Sequence, residues 1–212
     1  MSFREHLEKI CGLARIKKPV SKKLEASAII NGLVDRPVLF EKIKESDFSV
    51  AANIFPSKQS VADYLGCKVN ELIPTITNAI ESPSKPEVVD SKKAPCQEVE
   101  INAKDIDLNK LPILFHCQND GGNFISSGVV VSKDPEYGQN LDFHRGMQIG
   151  KNKMAMRIVK GRHFDLFLGR QKKMPMAICV GNGAEVLVAA ATSVDVGINE
   201  LEIANSLKPI RV

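Results

Sequence analysis

The stretch "QNLDFHRGMQIGKNKMAMRIVKGRHFDLF" (Gln139–Phe167) decides how the second half of the chain is read. From Asn140 to Ile149 it alternates. Leu141, Phe143, Met147 and Ile149 share one face with Arg145, and Asn140, Asp142, His144, Gly146 and Gln148 share the other. Alternation with period two predicts a half-buried strand. An arginine on the apolar face of such a strand needs an anionic partner, because an unpaired guanidinium is very costly to bury.

Turn signals bracket this strand. "DPEYG" (Asp134–Gly138) precedes it and "GKNK" (Gly150–Lys153) follows. Beyond them lie the β-branched run "FISSGVVVS" (Phe124–Ser132), itself preceded by the turn "NDGG" (Asn119–Gly122), and "MAMRIV" (Met154–Val159). Three strands joined by short glycine-bearing turns predict an antiparallel meander. Further on, "GRHFDLFLG" (Gly161–Gly169) predicts a helix and "MPMAICVG" (Met174–Gly181) a buried strand. "AEVLVAAA" (Ala184–Ala191) and "NELEIANSL" (Asn199–Leu207) predict helices, the second capped by Asn199.

The first eighty residues have a different texture. Ser2 and Glu5 have capping-box spacing before a short helix that Gly12 can end. "LARIKKPV", "RPVLFEKI" and "FSVAANIF" predict strands. "SKKLEASAIINGL" predicts a helix with Ser21 as N-cap and Gly32 as stop. "SKQSVADYLG" and "VNELIPTITNAIES" predict two more helices, the latter interrupted or restarted at Pro74. Alternating strands and helices indicate a small α/β domain. "SPSKPEVVDSKKAP" (Ser82–Pro95) holds little that can be buried and reads as a linker. The expected organisation is an α/β domain over residues 1–95 and a second, mixed α+β domain over 96–212.

Composition limits the function classes. Hydrophobic residues make up 43% of the 212 and charged residues 25%, as in ordinary globular proteins. The net charge of +4 is carried by scattered lysines with no basic stripe, which argues against nucleic-acid binding. No apolar run approaches a membrane span, and "MSFREHLEKI" lacks a signal-peptide core, so a cytoplasmic location is expected. Five dispersed cysteines (Cys11, Cys67, Cys96, Cys117 and Cys179) form no zinc-type cluster and read as free thiols. There is no internal repeat, P-loop, GxGxxG, GxSxG or HExxH.

Four polar residues stand out: Asn140, Arg145, His163 and Glu200. Singly, three have ordinary explanations: Asn140 follows a turn, His163 and Glu200 open helices. Together, an amide oxygen, an imidazole and a carboxylate form a mixed O/N donor set for a divalent cation. With Asn and His neutral such a site keeps positive charge, which suits a phosphate as an added ligand.

The runs "NDGGNFISSGVVVSKDPEYGQNLDFHR", "GRH", "MPMAICVG" and "NELEIANSL" together resemble the UbiD family of reversible decarboxylases, from about Leu111 to the end of the chain. The opening "SFREHLEKI…KPV" is similar to the family's more variable first domain. The resemblance implies that residues 96–212 form the first part of a split β-barrel, flavin-reductase-like cofactor domain. It implies prenylated FMN as cofactor, supplied by a flavin prenyltransferase, with Mn2+ or another divalent ion and K+ at the cofactor phosphate. The family's metal ligands carry over to Asn140, His163 and Glu200, and its active-site arginine to Arg145. Cofactor contacts carry over to Ser126, Phe143, His144, Arg162, Ala191 and Thr192 as well as the four residues just named. In "AAATSVDVG" (Ala189–Gly197) the sequence departs from the family's usual small-polar, proline-rich loop, which leaves side-chain contacts there open.

The implied reaction is loss of carbon dioxide from an α,β-unsaturated or aromatic carboxylic acid, followed by protonation by a glutamic acid. Anhydromevalonate phosphate is the leading candidate substrate, and aromatic 4-hydroxy acids are the alternative. In the family Arg145's carboxylate partners, including that acid, lie beyond the residues present here. A second reading is therefore a non-catalytic piece that binds flavin and metal and needs a partner chain. A third, a plain flavin-reductase-like FMN module, does not require the metal triad. An oligomer or a partner chain is expected, and neither nucleic acid nor membrane.

Overall fold

The computed structural model describes residues 3–212. The Ser2–Glu5 capping spacing falls on Ser2, outside the described residues. In chain order the helices are α1 (Phe3–Lys9), α2 (Glu25–Gly32), α3 (Lys58–Leu65), α4 (Leu72–Glu81), α5 (His163–Arg170), α6 (Ala184–Ala190) and α7 (Glu200–Leu207). The strands are β1 (Ala14–Ile16), β2 (Val38–Phe40), β3 (Val50–Ala52), β4 (Phe124–Ile125), β5 (Val129–Asp134), β6 (Gly138–Phe143), β7 (Gly146–Gly150), β8 (Lys153–Met156) and β9 (Met176–Cys179). The chain divides into two compact units, Met1–Ser60 with Asn102–Ser126 and Arg145–Arg157, and Val61–Ile101 with Ser127–His144 and Ile158–Val212.

In the first unit β1 pairs parallel with β2, and β2 antiparallel with β3. Val38 and Phe40, both fully buried, anchor its core with Val20, Ala26, Ile43 and Leu114. A second sheet orders its strands β4-β7-β8, all antiparallel. Helix α2 starts at Glu25, so Ser21 is not its N-cap. The physical reason lies in what holds residues 21–24. Glu25 turns back to accept from the Ser21 N–H at 2.7 Å, and the Leu24 N–H donates to Phe115 O at 3.1 Å. Leu24 then enters the left-handed region, at φ 64°, before the helix begins.

In the second unit the sheet order is β6-β5-β9, antiparallel throughout. Helices α5, α6 and α7 pack on β6. Val129 and Leu141 from the sheet meet Ala190, and Ala189, Ile203, Ala204 and Leu207 form a second cluster with Ala79 of α4. The expected "DPEYG" turn is built by Asp134, whose Oδ1 accepts from the N–H groups of Glu136 (2.9 Å) and Tyr137 (3.1 Å). Burial opposes charge on this carboxylate, but those N–H groups and Arg170 hold it below the usual carboxylate range. Pro74 sits in the first turn of α4, where its missing N–H costs little. The exposed Ser82–Pro95 segment is tied down: Ser84 N–H donates to Glu202 O, and Val89 and Val212 bond across to Val212 O and Glu87 O.

The meander does not form as one sheet. The long alternating strand breaks at His144–Arg145, where the chain passes from the second unit to the first. β6 pairs with β5 only, while β7 pairs with β4 and β8. Gly146 opens β7 because a Cβ there would come within 2.8 Å of Met154 Cε. "FISSGVVVS" likewise divides into β4 and β5. β9 is not a buried strand; Met176 is 45% exposed, because among the described residues β9 pairs on one side only. Among those residues no helix is long and apolar enough to cross a membrane.

Gly183, the N-cap of α6, sits against two buried polar side chains. A Cβ at this position would press on Tyr64 Oη and both Glu185 carboxylate oxygens. Tyr64 cannot easily yield, since Lys208 Nζ lies 3.7 Å from its ring centroid. Gly183→Ala is expected to destabilise the chain by about 1–3 kcal/mol, read as a lower urea midpoint at unchanged slope.

Candidate functional site

β6 places Asn140 and Asp142 on one face, two residues apart. Asn140 is 3% exposed, and its Oδ1 lies 3.1 Å from His163 Nδ1. His163 is there because it opens α5: Gly161 at φ +81° turns the chain, and Asp165 caps it by accepting from the Gly161 N–H at 2.8 Å. Glu200 opens α7, which Asn199 caps through a 3.0 Å bond from the Leu201 N–H. The Glu200 side chain, 2% exposed, reaches β6 and accepts from the Leu141 N–H at 3.0 Å.

These side chains line one cavity of about 300 Å³. Its wall also carries Phe143, His144, Arg162, Ala191 and Thr192. The structure thus gathers eight of the ten residues nominated from sequence. Arg162 caps the rim, with Nη1 donating to Ser193 Oγ at 3.3 Å, and Thr192 spends its hydroxyl hydrogen on Val188 O at 2.9 Å.

The cavity is short of positive charge. Burial pushes the Glu200 carboxyl up to about 7; N–H groups of Leu141 and its own backbone oppose this, and the charge of Asp142 adds to it. Asp142 Oδ2 lies 2.9 Å from His144 Nε2, and His144 packs its ring against Phe164. Asp142 Oδ1 and Asn140 Nδ2 are buried with no hydrogen-bond partner. Asn140, His163 and Glu200 supply donor types that suit a hard or borderline divalent cation, and among the described residues no three His, Cys, Asp or Glu side chains are clustered to hold one.

Asp142 was not nominated from sequence. The signal was present, since Asn140, Asp142 and His144 recur at every second residue. Asn140 and His144 of that face were nominated, and Asp142 between them lines the same cavity.

Ser126 and Arg145 belong to the first unit. Ser126 is exposed between β4 and β5. Arg145 does not point with a buried apolar set; its side chain is 51% exposed. It does have the anionic partner its chemistry requires, and that partner is within this chain. Nη2 donates to Asp120 Oδ1 at 3.0 Å, and the guanidinium carbon lies 3.9 Å from the Phe124 ring centroid. Asp120 is held in place by the Cys117 N–H at 3.0 Å.

Comparison with known proteins identifies the family and the fold. Residues 87–212 match the 3-octaprenyl-4-hydroxybenzoate carboxy-lyase Rift-related domain, and residues 4–80 match the N-terminal domain of the same enzymes. An anhydromevalonate phosphate decarboxylase from Methanothermobacter thermautotrophicus is 32% identical over 210 residues, covering 96% of this chain and 48% of its own. One from Methanosarcina mazei is 34% identical over 206 residues, covering 94% and 46%. Among solved structures, an evolved dimeric form of the UbiD-class enzyme HmfF from Pelotomaculum thermopropionicum, in complex with prFMN, superposes with a TM-score of 0.94 at 28% identity, over 99% of this chain and 51% of that one. The chain spans about half the length of the curated relatives it matches. With family models covering both its parts, the chain belongs to the UbiD family of carboxy-lyases.

Proposed function

We propose that these residues form the cation- and flavin-phosphate-binding part of a UbiD-type decarboxylase. The reaction is reversible, non-oxidative loss of carbon dioxide from an α,β-unsaturated or aromatic carboxylic acid. The observation that carries this reading is the convergence of Asn140, His163 and Glu200 on one cavity from three separate elements. In it the three side chains hold Mn2+ or a similar divalent ion, with K+ nearby. The ion ties down the phosphate of prenylated FMN, whose extra ring supplies the electron sink for decarboxylation. A cavity of about 300 Å³ is at the small end of organic-ligand sites, which suits the ion and the phosphate end of the cofactor.

Phe143, His144, Arg162, Ala191 and Thr192 wall the phosphate end, and Ser126 and Arg145 serve the reacting end. Anhydromevalonate phosphate is the leading candidate substrate, supported by the two archaeal relatives. The split-barrel cofactor domain belongs to this reading, with a sequence boundary near residue 95; the two family models themselves meet between residues 80 and 87. So does a cytoplasmic setting, which five free cysteines suit. A flavin prenyltransferase supplies the cofactor, and the working enzyme is an oligomer or includes a partner chain.

Co-expression with a flavin prenyltransferase tests the reading. Purified chain is expected to carry a flavin-like spectrum and the mass of prenylated FMN, both lost in His163→Ala. Folded chain that retains no flavin under these conditions overturns it. Arg145 orients the substrate carboxylate through a planar, two-pronged donor that lysine lacks. In full-length enzyme loaded with cofactor, Arg145→Lys is expected to lower kcat by roughly tenfold or more, as misplacement at a reacting centre does. Wild-type turnover in that variant restricts Arg145 to its structural pairing with Asp120.

The second reading is a binding piece without activity of its own. What favours it is that Arg145 has Asp120 rather than a glutamate as its ion-pair partner here. Flavin retention by the chain alone, together with turnover only once a second chain is added, supports this reading, and turnover by the chain alone removes it.

A further inference from the structure

The Asn140 amide has an acceptor oxygen at one end and a donor nitrogen at the other, in nearly the same shape. Hydrogen bonds, rather than packing, choose which end faces which way. Oδ1 is turned to His163 Nδ1 at 3.1 Å, and Nδ2 is buried with no hydrogen-bond partner. Directly across the sheet stands Ser132 of β5, in register with Asn140. Opposed residues of an antiparallel pair share a face, with Cβ atoms about 4.5–5.5 Å apart. Ser132 is 1% exposed, and its Oγ is likewise buried without a partner. Its other neighbours on this face offer little. Val130 and Met176, the latter opposite on β9, are apolar, and Asp134 is committed to Arg170 and to the Glu136 and Tyr137 N–H groups. A donor without an acceptor and a hydroxyl without a partner thus stand on opposed residues of one buried sheet face.

We propose that Ser132 is the positioning residue of Asn140: its Oγ accepts from Asn140 Nδ2, which keeps Oδ1 turned to His163. The pair closes through a staggered serine rotamer. The consequence reaches the imidazole. An oxygen facing Nδ1 accepts a hydrogen bond only if Nδ1 carries the ring proton. A neutral His163 is therefore held as its Nδ1–H tautomer, and Nε2 keeps its lone pair. With the amide turned over, Nδ2 would face Nδ1 and the ring proton would move to Nε2. Ser132 thus decides, through Asn140, which His163 nitrogen is free to bind. That this nitrogen and Oδ1 serve a cation rests on the functional reading above; the tautomer itself does not.

The test reads the tautomer directly, from the 15N resonances of metal-free chain labelled at its four histidines, at pH 8. Magic-angle spinning keeps a self-associated chain readable, His163→Gln assigns the signal, and circular dichroism confirms that each variant is folded. Wild type is expected to show Nδ1–H as the main form. Ser132→Ala is expected to shift the ratio toward Nε2–H by about fivefold or more, as loss of a hydrogen bond does. Ser132→Cys, close in size and a weak acceptor, should shift it the same way and serves if the alanine variant folds poorly. Ser132→Thr keeps the hydroxyl and is expected to retain the wild-type ratio. After co-expression with a flavin prenyltransferase, wild type and Ser132→Thr should retain flavin, and Ser132→Ala severalfold less. The proposal is wrong if wild type carries mainly Nε2–H, or if the folded alanine or cysteine variant keeps the wild-type ratio. It is also wrong if Ser132→Thr shifts the ratio as far as alanine does, which marks a packing effect. If the ratios shift as expected while folded wild type retains no flavin, the functional reading falls and the proposal stands.

Discussion

Glu200→Gln is expected to raise the melting temperature of the metal-free chain at pH 8 and to abolish its response to manganese. Glu200 is 2% exposed, and burial lifts its carboxyl to about 7. A carboxyl raised on folding contributes stability that is fully present below the unfolded value of about 4.5 and is lost as pH rises through about 7. At pH 8 the native chain therefore carries a charge it disfavours by about 3 kcal/mol. Glutamine keeps the acceptor for the Leu141 N–H and removes the charge. For a chain of this size that corresponds to roughly 6–12 °C. The advantage should vanish at pH 4.5, where both side chains are neutral. Saturating Mn2+ should reverse the order at pH 8, because the ion converts a buried charge from a cost into a bond. Calorimetry after chelation, at both pH values, reads all three outcomes. A metal-free Glu200→Gln chain that melts below wild type at pH 8 removes the electrostatic account. Metal-free stability that is flat from pH 5 to 8 does the same.

The cavity was legible in sequence wherever a local signal named both residue and element. Asn199 before "ELEIANSL" marks a helix start, and that start is what delivers Glu200 to β6. "GRH" before an apolar helix places His163 in the first turn of α5 in the same way. What the local signals missed was tertiary. The alternation from Asn140 to Ile149 has the period of a strand but contains no record of the break at His144–Arg145, where the chain passes from one unit to the other. The same alternation led Arg145 to be read as inward-facing. Its partner, Asp120, is 25 residues away, a pairing no periodicity encodes. Asp142 was not nominated, although Asn140 and His144 on the same strand face were. Only the packing of α5, α6 and α7 on β6 turns that face inward.

Alone, these 212 residues are expected not to decarboxylate. Loss of carbon dioxide leaves an electron-rich carbon that must take up a proton. The resemblance to the family implies that the acid that delivers it lies outside the matched half. The carboxylates of the cavity, Asp142 and Glu200, are engaged with His144 and with the Leu141 N–H. Asp120, beside Arg145, is the remaining candidate donor. Its Oδ1 is engaged by Arg145 Nη2 at 3.0 Å and its Oδ2 by the Cys117 N–H at 3.0 Å. The isolated chain also exposes apolar side chains beside unpaired strand edges, among them Met176 and Val180, which is 65% exposed. Such edges promote pairing with other chains. The purified chain is therefore expected to self-associate. The measurement is carbon dioxide release and solvent deuterium exchange, from chain supplied with prenylated FMN, Mn2+, K+ and a panel of unsaturated and aromatic acids. Adding the remaining half of a full-length relative should restore turnover if the fold alone is lacking. Turnover above background from the 212 residues alone means the proton comes from within them. Asp120→Asn then tests the source, because Asp120 is the carboxylate paired with Arg145 among the described residues.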